Sequence, residues 1–247
     1  MRNTILRDWV LKSRIALKYF HFNEHLRDCW VQAQALKVPN GSKVLDVGAG
    51  SCPYRNYFSH CQYKTHDFAE LKEEQLRFYK GYGNLDFVSD ISSIPVEDNT
   101  FDYVLCTEVL EHVPEPILAI KEFARILKPG GKAIITAPLL AGIHQEPYNF
   151  YAGYTPFWYQ KFLSKYNFEN IEINENGLSN KFYSQESLRF LLTNHPFANF
   201  VTFLFTPFWI ILCAILVPFA FVADIFDRYD NEKRTTVGYF VTAQKKV

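Results

Sequence analysis

Three observations predict an α/β fold built on a doubly wound, mostly parallel seven-stranded sheet. Short apolar runs alternate with amphipathic stretches through the middle of the chain, the order that lays helices over both faces of a parallel sheet. The first run, Lys43–Val47, enters the glycine turn Gly48-Ala49-Gly50, as a buried strand does when it feeds a helix. A last strand-like segment, Gly238–Gln244, stands behind a very apolar zone and marks that zone as an insertion before the final strand. The length of 247 residues fits one or two domains, and 48% hydrophobic with 21% charged residues excludes a mainly disordered chain.

The elements follow in order. On a helical wheel, residues 1–20 place Ile5, Leu6, Trp9, Val10, Ala16, Leu17 and Phe20 on one side and Arg7, Arg14 and Lys18 opposite. This basic amphipathic helix is expected to pack on the neighbouring domain or to lie on anionic lipid. Its interleaved charges are unlike the apolar core of a cleavable signal peptide. Strands are predicted at Lys43–Val47, Gln62–Thr65, Leu85–Val88, Phe101–Thr107, Lys132–Ala137, Phe168–Ile173 and Gly238–Gln244. Helices are predicted at about Pro53–Ser59, Leu71–Lys80, Pro114–Leu127 and Thr155–Lys165, with Pro129-Gly130-Gly131 as a stop after Leu127. The expected organisation is a helical lead-in over 1–37, a sheet domain over 38–180 plus 236–247, and an apolar helical insertion over 181–235.

Twenty-six basic residues balance 26 acidic ones. A protein drawing its affinity from a nucleic-acid backbone carries a basic excess, so no nucleic-acid partner is expected. Cys29, Cys52, Cys61, Cys106 and Cys213 are odd in number and widely spaced, which fits a reducing, cytoplasmic setting. His21 and His25 could share a helix face but have no third ligand nearby, so no metal site is expected.

The chemistry concentrates in Val44-Leu45-Asp46-Val47-Gly48-Ala49-Gly50-Ser51-Cys52-Pro53. A strand ends in an acid, and glycines then let the backbone approach a ligand closely. Asp67 follows Asp46 by 21 residues at the end of the second strand, placed to accept hydrogen bonds from ribose hydroxyls. Asp90 closes the third strand, with Ile91 beside it as an apolar face for a base.

With Phe101-Asp102-Tyr103-Val104-Leu105, Glu108-Val109-Leu110-Glu111-His112-Val113 and Lys128-Pro129-Gly130-Gly131, these segments resemble the class I S-adenosylmethionine-dependent methyltransferases over about residues 40–175. The resemblance implies a Rossmann-like fold and S-adenosylmethionine as cofactor. It implies that Asp46, Gly48, Ala49 and Gly50 border the methionine and ribose portions, that Asp67 holds the ribose, that Asp90 and Ile91 frame the adenine, and that Glu108 lines the pocket. A nicotinamide-dependent oxidoreductase is the competing nucleotide reading. It expects a third glycine where Pro53 stands.

Methyl transfer is an in-line displacement from an already electrophilic sulfonium, so a base matters only for a weak nucleophile. The candidate bases are His144 and Glu146, after the fifth strand, and His112, after the fourth; capping or packing is the alternative role for the histidines. Residues 144–155 also resemble a His-x-x-Pro-x-Asp-aromatic-aromatic-Arg-aromatic-Thr pattern of relatives of this family, with Asn149 in place of the acid and no Arg.

No Asp, Glu, Lys or Arg occurs from Phe190 to Ala223. In methyltransferases of this class the final strand returns to the sheet, so the resemblance implies that, with Gly238–Gln244 as that strand, a single membrane crossing would leave it on the wrong side of the bilayer. The expectation is therefore either two helices meeting near Pro207 and dipping into one leaflet, or a greasy cap or dimer interface. Phe208–Ala223, at about 24 Å, is short of the roughly 30 Å hydrocarbon core. Membrane contact is expected through residues 200–223 and the N-terminal helix. The resulting reading is a cytoplasmic, membrane-associated enzyme that methylates a small or lipid-linked acceptor, with oxygen as the accepting atom. A membrane-attached scaffold without catalysis stands as the non-enzymatic alternative.

Overall fold

A computed structural model describes residues 22–77 and 81–247. The amphipathic stretch expected over 1–20 lies outside the described residues. The chain divides into two compact units. One comprises Arg27–Asn174 with Gly238–Val247; the other comprises Glu175–Val237 with residues 22–26.

The larger unit is the sheet. Its strands are β1 (Lys43–Val47), β2 (Gln62–Asp67), β3 (Phe87–Val88), β4 (Phe101–Thr107), β5 (Leu127–Pro138), β6 (Phe168–Glu175) and β7 (Gly238–Lys245), in the order β3-β2-β1-β4-β5-β7-β6. β1 pairs in parallel with β2 and β4, β2 with β3, and β4 with β5; β7 alone among the paired strands runs antiparallel, against β5. Both faces are covered. Leu45, Val47, Val104 and Cys106 pack toward α2 (Pro116–Ile126) and α3 (Pro156–Lys165), through Ile120, Phe123, Tyr159 and Leu163. Val44, Leu105 and Ile134 pack toward Val31 and Ala35 of α1 (Phe22–Ala35) and Phe58. The alternation along β1 is the two-residue period of a strand, and burial on both faces is why its sequence reads as one apolar run.

Two expected helices are not formed. Pro53–Ser59 holds only the 3-10 turn Arg55–Phe58. Cys52, at φ +55°, and Gln62, where β2 begins, leave too little chain for more. In Leu71–Lys80 the described part holds only the turn Glu73–Gln75, with Lys72 and Leu76 extended on either side; Leu76 is buried against the turn at Gly50 instead of on a helix face. β3 shrinks to two residues because the carboxylate of Asp86 takes the Thr65 amide and hydroxyl at 3.0 and 3.1 Å instead of a strand partner. The Pro129-Gly130-Gly131 stop lies inside β5, at an irregular start where the register against β4 shifts.

The smaller unit holds α4 (Ser179–Thr193), a single turn at Phe200–Phe203 and α5 (Thr206–Phe226). α4 and α5 are antiparallel. The Ser184 hydroxyl donates to the Ala220 carbonyl at 2.8 Å, the Trp209 indole donates to Leu191 at 3.3 Å, and Asp227 accepts from the Leu178 and Lys181 amides that open α4. The carboxylate thus answers the free amides and positive end of that helix. The helices do not meet at Pro207, which sits in the first turn of α5, while Pro218 lies inside it. At 21 residues α5 measures about 31 Å, longer than the sequence estimate and equal to a bilayer core.

Arg125 clamps the 92–98 loop to α2. It pairs with both oxygens of Glu122 at 2.7 and 2.8 Å and donates to the carbonyls of Ile94 and Val96. Glu122, 7% exposed, also accepts the Ile94 amide. Arg125→Met strands a buried carboxylate and is expected to cost about 2–3 kcal/mol, below the 3–5 of a fully buried pair because the guanidinium is a third exposed. Asp98→Asn, at the solvent-exposed end of the same guanidinium, is expected to cost about 0–1 kcal/mol. Chemical denaturation compares the two.

Candidate active site

Parallel pairing sets Asp46 beside Thr65 and Val47 beside His66, so β1 and β2 end at one edge of the sheet. There the Gly48 and Ala49 amides both donate to the His66 carbonyl, at 2.8 and 3.0 Å. Gly48, at φ +74°, admits no side chain, since a Cβ would collide with Val109. The Gly50 amide donates to Asp67 Oδ2 at 2.8 Å and the Ala69 amide to Oδ1 at 3.1 Å. A carboxylate offers about four lone-pair positions, so Asp67 keeps two for a ligand's hydroxyls. Ser51 Oγ, in the same turn, is buried without a partner. The glycine cradle, the half-used acid and the orphaned hydroxyl fit a polar nucleoside.

Asp46 is 1% exposed and accepts a short hydrogen bond from the Tyr63 hydroxyl. Burial is the main reason its carboxyl is pushed up to about 7; Asp67 adds to the shift, while Tyr63 and Arg55 oppose it. Asp90 is exposed, and its Oδ1 accepts from the Ser92 amide and hydroxyl, both at 2.7 Å, which holds its carboxyl below the usual range. Ile91 is 8% exposed and belongs to the core with Ile94 and Phe101, so most of its surface is spent on packing rather than offered to a base. Glu108, at φ +52°, accepts from Thr136 Oγ1 at 2.8 Å and lies 3.3 Å from Arg27 Nη1.

The sequence reading missed the partners that α1 supplies. Arg77 forms a two-pronged pair with Asp28 at 2.7 and 2.9 Å, and Tyr54 joins them, its hydroxyl accepting from Arg27 at 3.1 Å and donating to Asp28 at 3.2 Å. No motif marks these residues; the only trace is an Arg-Asp pair on a helix.

The structure brings His112 and His144 together, their rings edge to face with centroids 4.7 Å apart. His112 Nδ1 donates to the Tyr148 carbonyl, and burial takes its pKa down to about 4, so it is neutral at neutral pH. His144 is exposed, with Nδ1 donating to the Gly142 carbonyl at 2.8 Å. Glu146 is also exposed; its backbone carbonyl accepts from Gln75. Glu111, which the sequence reading quoted without assigning it a role, is fully buried beside His112.

A family model described as a methyltransferase domain matches residues 45–135, the span that carries β1, β2, β4 and both turns. Over that span the chain carries the methyltransferase domain of the class I S-adenosylmethionine-dependent enzymes. S-adenosylmethionine is the cofactor of this methyltransferase domain. The chain is 29% identical to the demethylmenaquinone methyltransferase of Anoxybacillus flavithermus over 53% of its own length and 60% of that protein. It is 31% identical to the ubiquinone/menaquinone biosynthesis C-methyltransferase UbiE of Haemophilus ducreyi over 47% of its length and 49% of that protein. It therefore spans only about half to three fifths of these relatives. The crystal structure of the [4+2]-cyclase SpnF aligns with a TM-score of 0.54 at 19% identity, over 90% of this chain and 81% of that one. That likeness concerns the fold alone, and a fold does not fix a reaction.

Because folding raises the Asp46 pKa from about 3.9 to about 7, the folded methyltransferase keeps a proton that the unfolded chain releases between those values. Wild-type stability should therefore fall through that window as pH rises, by up to about 1.4 kcal/mol per unit, and level off above it. Asp46→Asn cannot ionise. Its stability relative to wild type is expected to climb from pH 4 to 7, as read from denaturation curves at each pH.

Proposed function

We propose that this methyltransferase moves the sulfonium methyl of S-adenosylmethionine to a ring carbon of a hydroxylated aromatic of the quinol type, carried on an apolar tail. The observation that carries the cofactor half is the convergence of Asp46, Gly48, Ala49, Gly50 and Asp67 at the carboxyl ends of two adjacent parallel strands, where open α/β sheets bind ligands. In this reading Asp67 takes the ribose hydroxyls and the glycine turn lies along the nucleoside. Asp90 and Ile91 sit at the adenine end, and Glu108 with Arg27 lines the methionine end.

The acceptor half rests on the relatives' names, two of which specify quinone precursors and one of which specifies methylation at carbon. Oxygen, the atom expected from the sequence, finds no support among them. The nicotinamide and scaffold alternatives are not favoured either, since the family match is to methyltransferases.

Carbon attack suits the groups present. Loss of a ring hydroxyl proton sends electron density to the adjacent carbon. That carbon displaces the sulfonium in line, S-adenosylhomocysteine leaves, and the ring carbon gives up its own hydrogen as a proton while the oxygen takes one back, which restores the aromatic quinol. The net change is one methyl gained and one proton released. His144 on its exposed loop, with neutral His112 behind it, supplies basic nitrogen for the proton steps. Holding carbon and methyl in line contributes roughly 7–11 kcal/mol to lowering the barrier.

α5 and the turn before it expose Phe200, Phe203, Phe205, Phe208, Ile211, Ile215 and Ile225, an apolar surface of the kind that contacts lipid. This favours a tailed acceptor and a membrane-attached enzyme.

Incubation with labelled S-adenosylmethionine and a reduced short-tailed naphthoquinol is expected to yield label bound at carbon and stable to mild acid and base. Absence of ring labelling with any quinol rejects the acceptor. His144→Ala is expected to lower turnover at least about a hundredfold while S-adenosylhomocysteine binding, read by calorimetry, changes less than about twofold. The protein is also expected to float with liposomes, and replacing Phe208, Ile211 and Ile215 with Ser should leave it in the aqueous fraction.

A further inference from the structure

Glu111 has 0% exposure, and neither of its carboxylate oxygens finds a hydrogen-bond donor. Buried carboxylates are normally paired, hydrogen-bonded or bound to metal. Beside it stands His112, with Nε2 3.7 Å from Glu111 Oε1. The partner of His112 Nδ1 is the Tyr148 carbonyl, which can only accept, so Nδ1 carries the hydrogen and Nε2 presents a lone pair. The Nε2 lone pair and a carboxyl oxygen therefore face each other at a distance too long for a direct hydrogen bond.

His144 repeats the arrangement, with Nδ1 on the Gly142 carbonyl and Nε2 left as an acceptor. One ligand atom each from Glu111, His112 and His144 lies within 4.8 Å of the other two. Ring nitrogens fixed by backbone carbonyls at Nδ1 and open at Nε2 are the outer-shell pattern of metal-bound histidine. The loop that carries His144 is also pinned here, since the Phe150 and Tyr151 amides both donate to the Glu111 carbonyl at 3.0 and 3.2 Å.

We propose that Glu111, His112 and His144 form a binding site for a divalent transition-metal ion of the zinc type. Two imidazoles and one carboxylate are a donor set that zinc accepts with a fourth position left open. Ligand atoms around tetrahedral zinc stand about 3.3 Å apart, so the three close in slightly on the ion, and His144, exposed on its loop, has room to move. The ligands run from buried Glu111 through His112 to exposed His144, which gives the ion a path from solvent. With the ion bound, His144 Nε2 no longer serves as a base, and the open position would instead act as a Lewis acid that eases loss of the acceptor hydroxyl's proton; that use rests on the proposed methyl transfer, whereas the binding of metal does not.

The test uses full-length protein without a histidine tag, stripped with chelator and titrated with zinc against a chromophoric competitor. Wild type is expected to take up one zinc per chain with high affinity. Glu111→Gln and His144→Ala should each bind at least about a hundredfold more weakly, beyond the 10–100-fold typical of outer-shell losses. His144→Ala should keep wild-type affinity for S-adenosylhomocysteine, which shows that its fold and cofactor site are intact. Cobalt in wild type should give visible ligand-field absorption that His144→Ala lacks. A wild type that holds zinc no more tightly than His144→Ala overturns the site. Failure of wild type to bind S-adenosylhomocysteine overturns the methyltransferase reading instead and leaves the zinc result standing.

Discussion

The hydrogen bond from the Gly50 amide to the Asp67 carboxylate ties the ends of the first two strands together, and the rest of the site is arranged around it. It exists because β1 and β2 run in parallel and stop at the same edge, with Val47 opposite His66. The His66 carbonyl collects the Gly48 and Ala49 amides, which turns the chain sharply enough to bring Gly50 over Asp67. Gly48 in turn lies so close to Val109 that only hydrogen fits between them. Val109 begins the segment that carries Glu111 and His112. The turn proposed for the nucleoside and the segment proposed for the acceptor are thus in contact through one missing methyl group.

Two buried carboxylates divide the electrostatics. Asp46 and Glu111 are both pushed upward by burial, but Asp46 shares a hydrogen with Tyr63 and Glu111 has no donor. An unmade bond in a low-dielectric interior is more costly than a made one is favourable. A fold tolerates such a group where something outside the chain completes it. Ser51, Glu111 and Asn149, each with a buried polar atom lacking a partner, all lie in the loops that follow β1, β4 and β5, the edge where ligands enter sheets of this kind.

How much of this was legible in the sequence depended on how locally each feature is determined. The limits predicted for β1 and β4, Lys43–Val47 and Phe101–Thr107, are those of the structure, because an apolar run buried on both faces declares itself by composition. α2 and α3 came within two residues, since their apolar residues recur at three and four and a proline opens each. The stretches after β1 and β2 misled because amphipathic-looking residues there serve loops: Tyr54 reaches α1 and Leu76 covers the glycine turn. The meeting of His112 with His144 could be anticipated only as two loops at one sheet edge. The orphaned state of Glu111 could not, because burial without a donor is a property of the packed molecule and leaves no mark on residue spacing.

The apolar hairpin poses a separate physical question, whether α5 crosses a bilayer or enters it and returns. Its length of about 31 Å permits crossing. The distribution of charge argues for return. In the antiparallel pair the charged groups lie at one end and part-way along α4: Lys181 is 3.4 Å from Asp224, Asp227 and Asp230 hold the first amides of α4, and Glu186 and Arg189 pair at 3.4 Å before the tip. The opposite end, from Phe190 to Phe208, carries no charged side chain. Its exposed backbone is answered internally: Asn199 and Thr202 cap each other's turn, and the Thr206 hydroxyl donates to the Phe203 carbonyl. An uncharged tip with satisfied polar groups can rest within hydrocarbon, where unpaired backbone would be prohibitive. A crossing helix would emerge at that tip with nothing to anchor it in water, and the chain would still have to come back to lay β7 against β5. Entry and return satisfies both constraints, and for the proposed membrane attachment it sets the charged base in the headgroups and the aromatic tip below them.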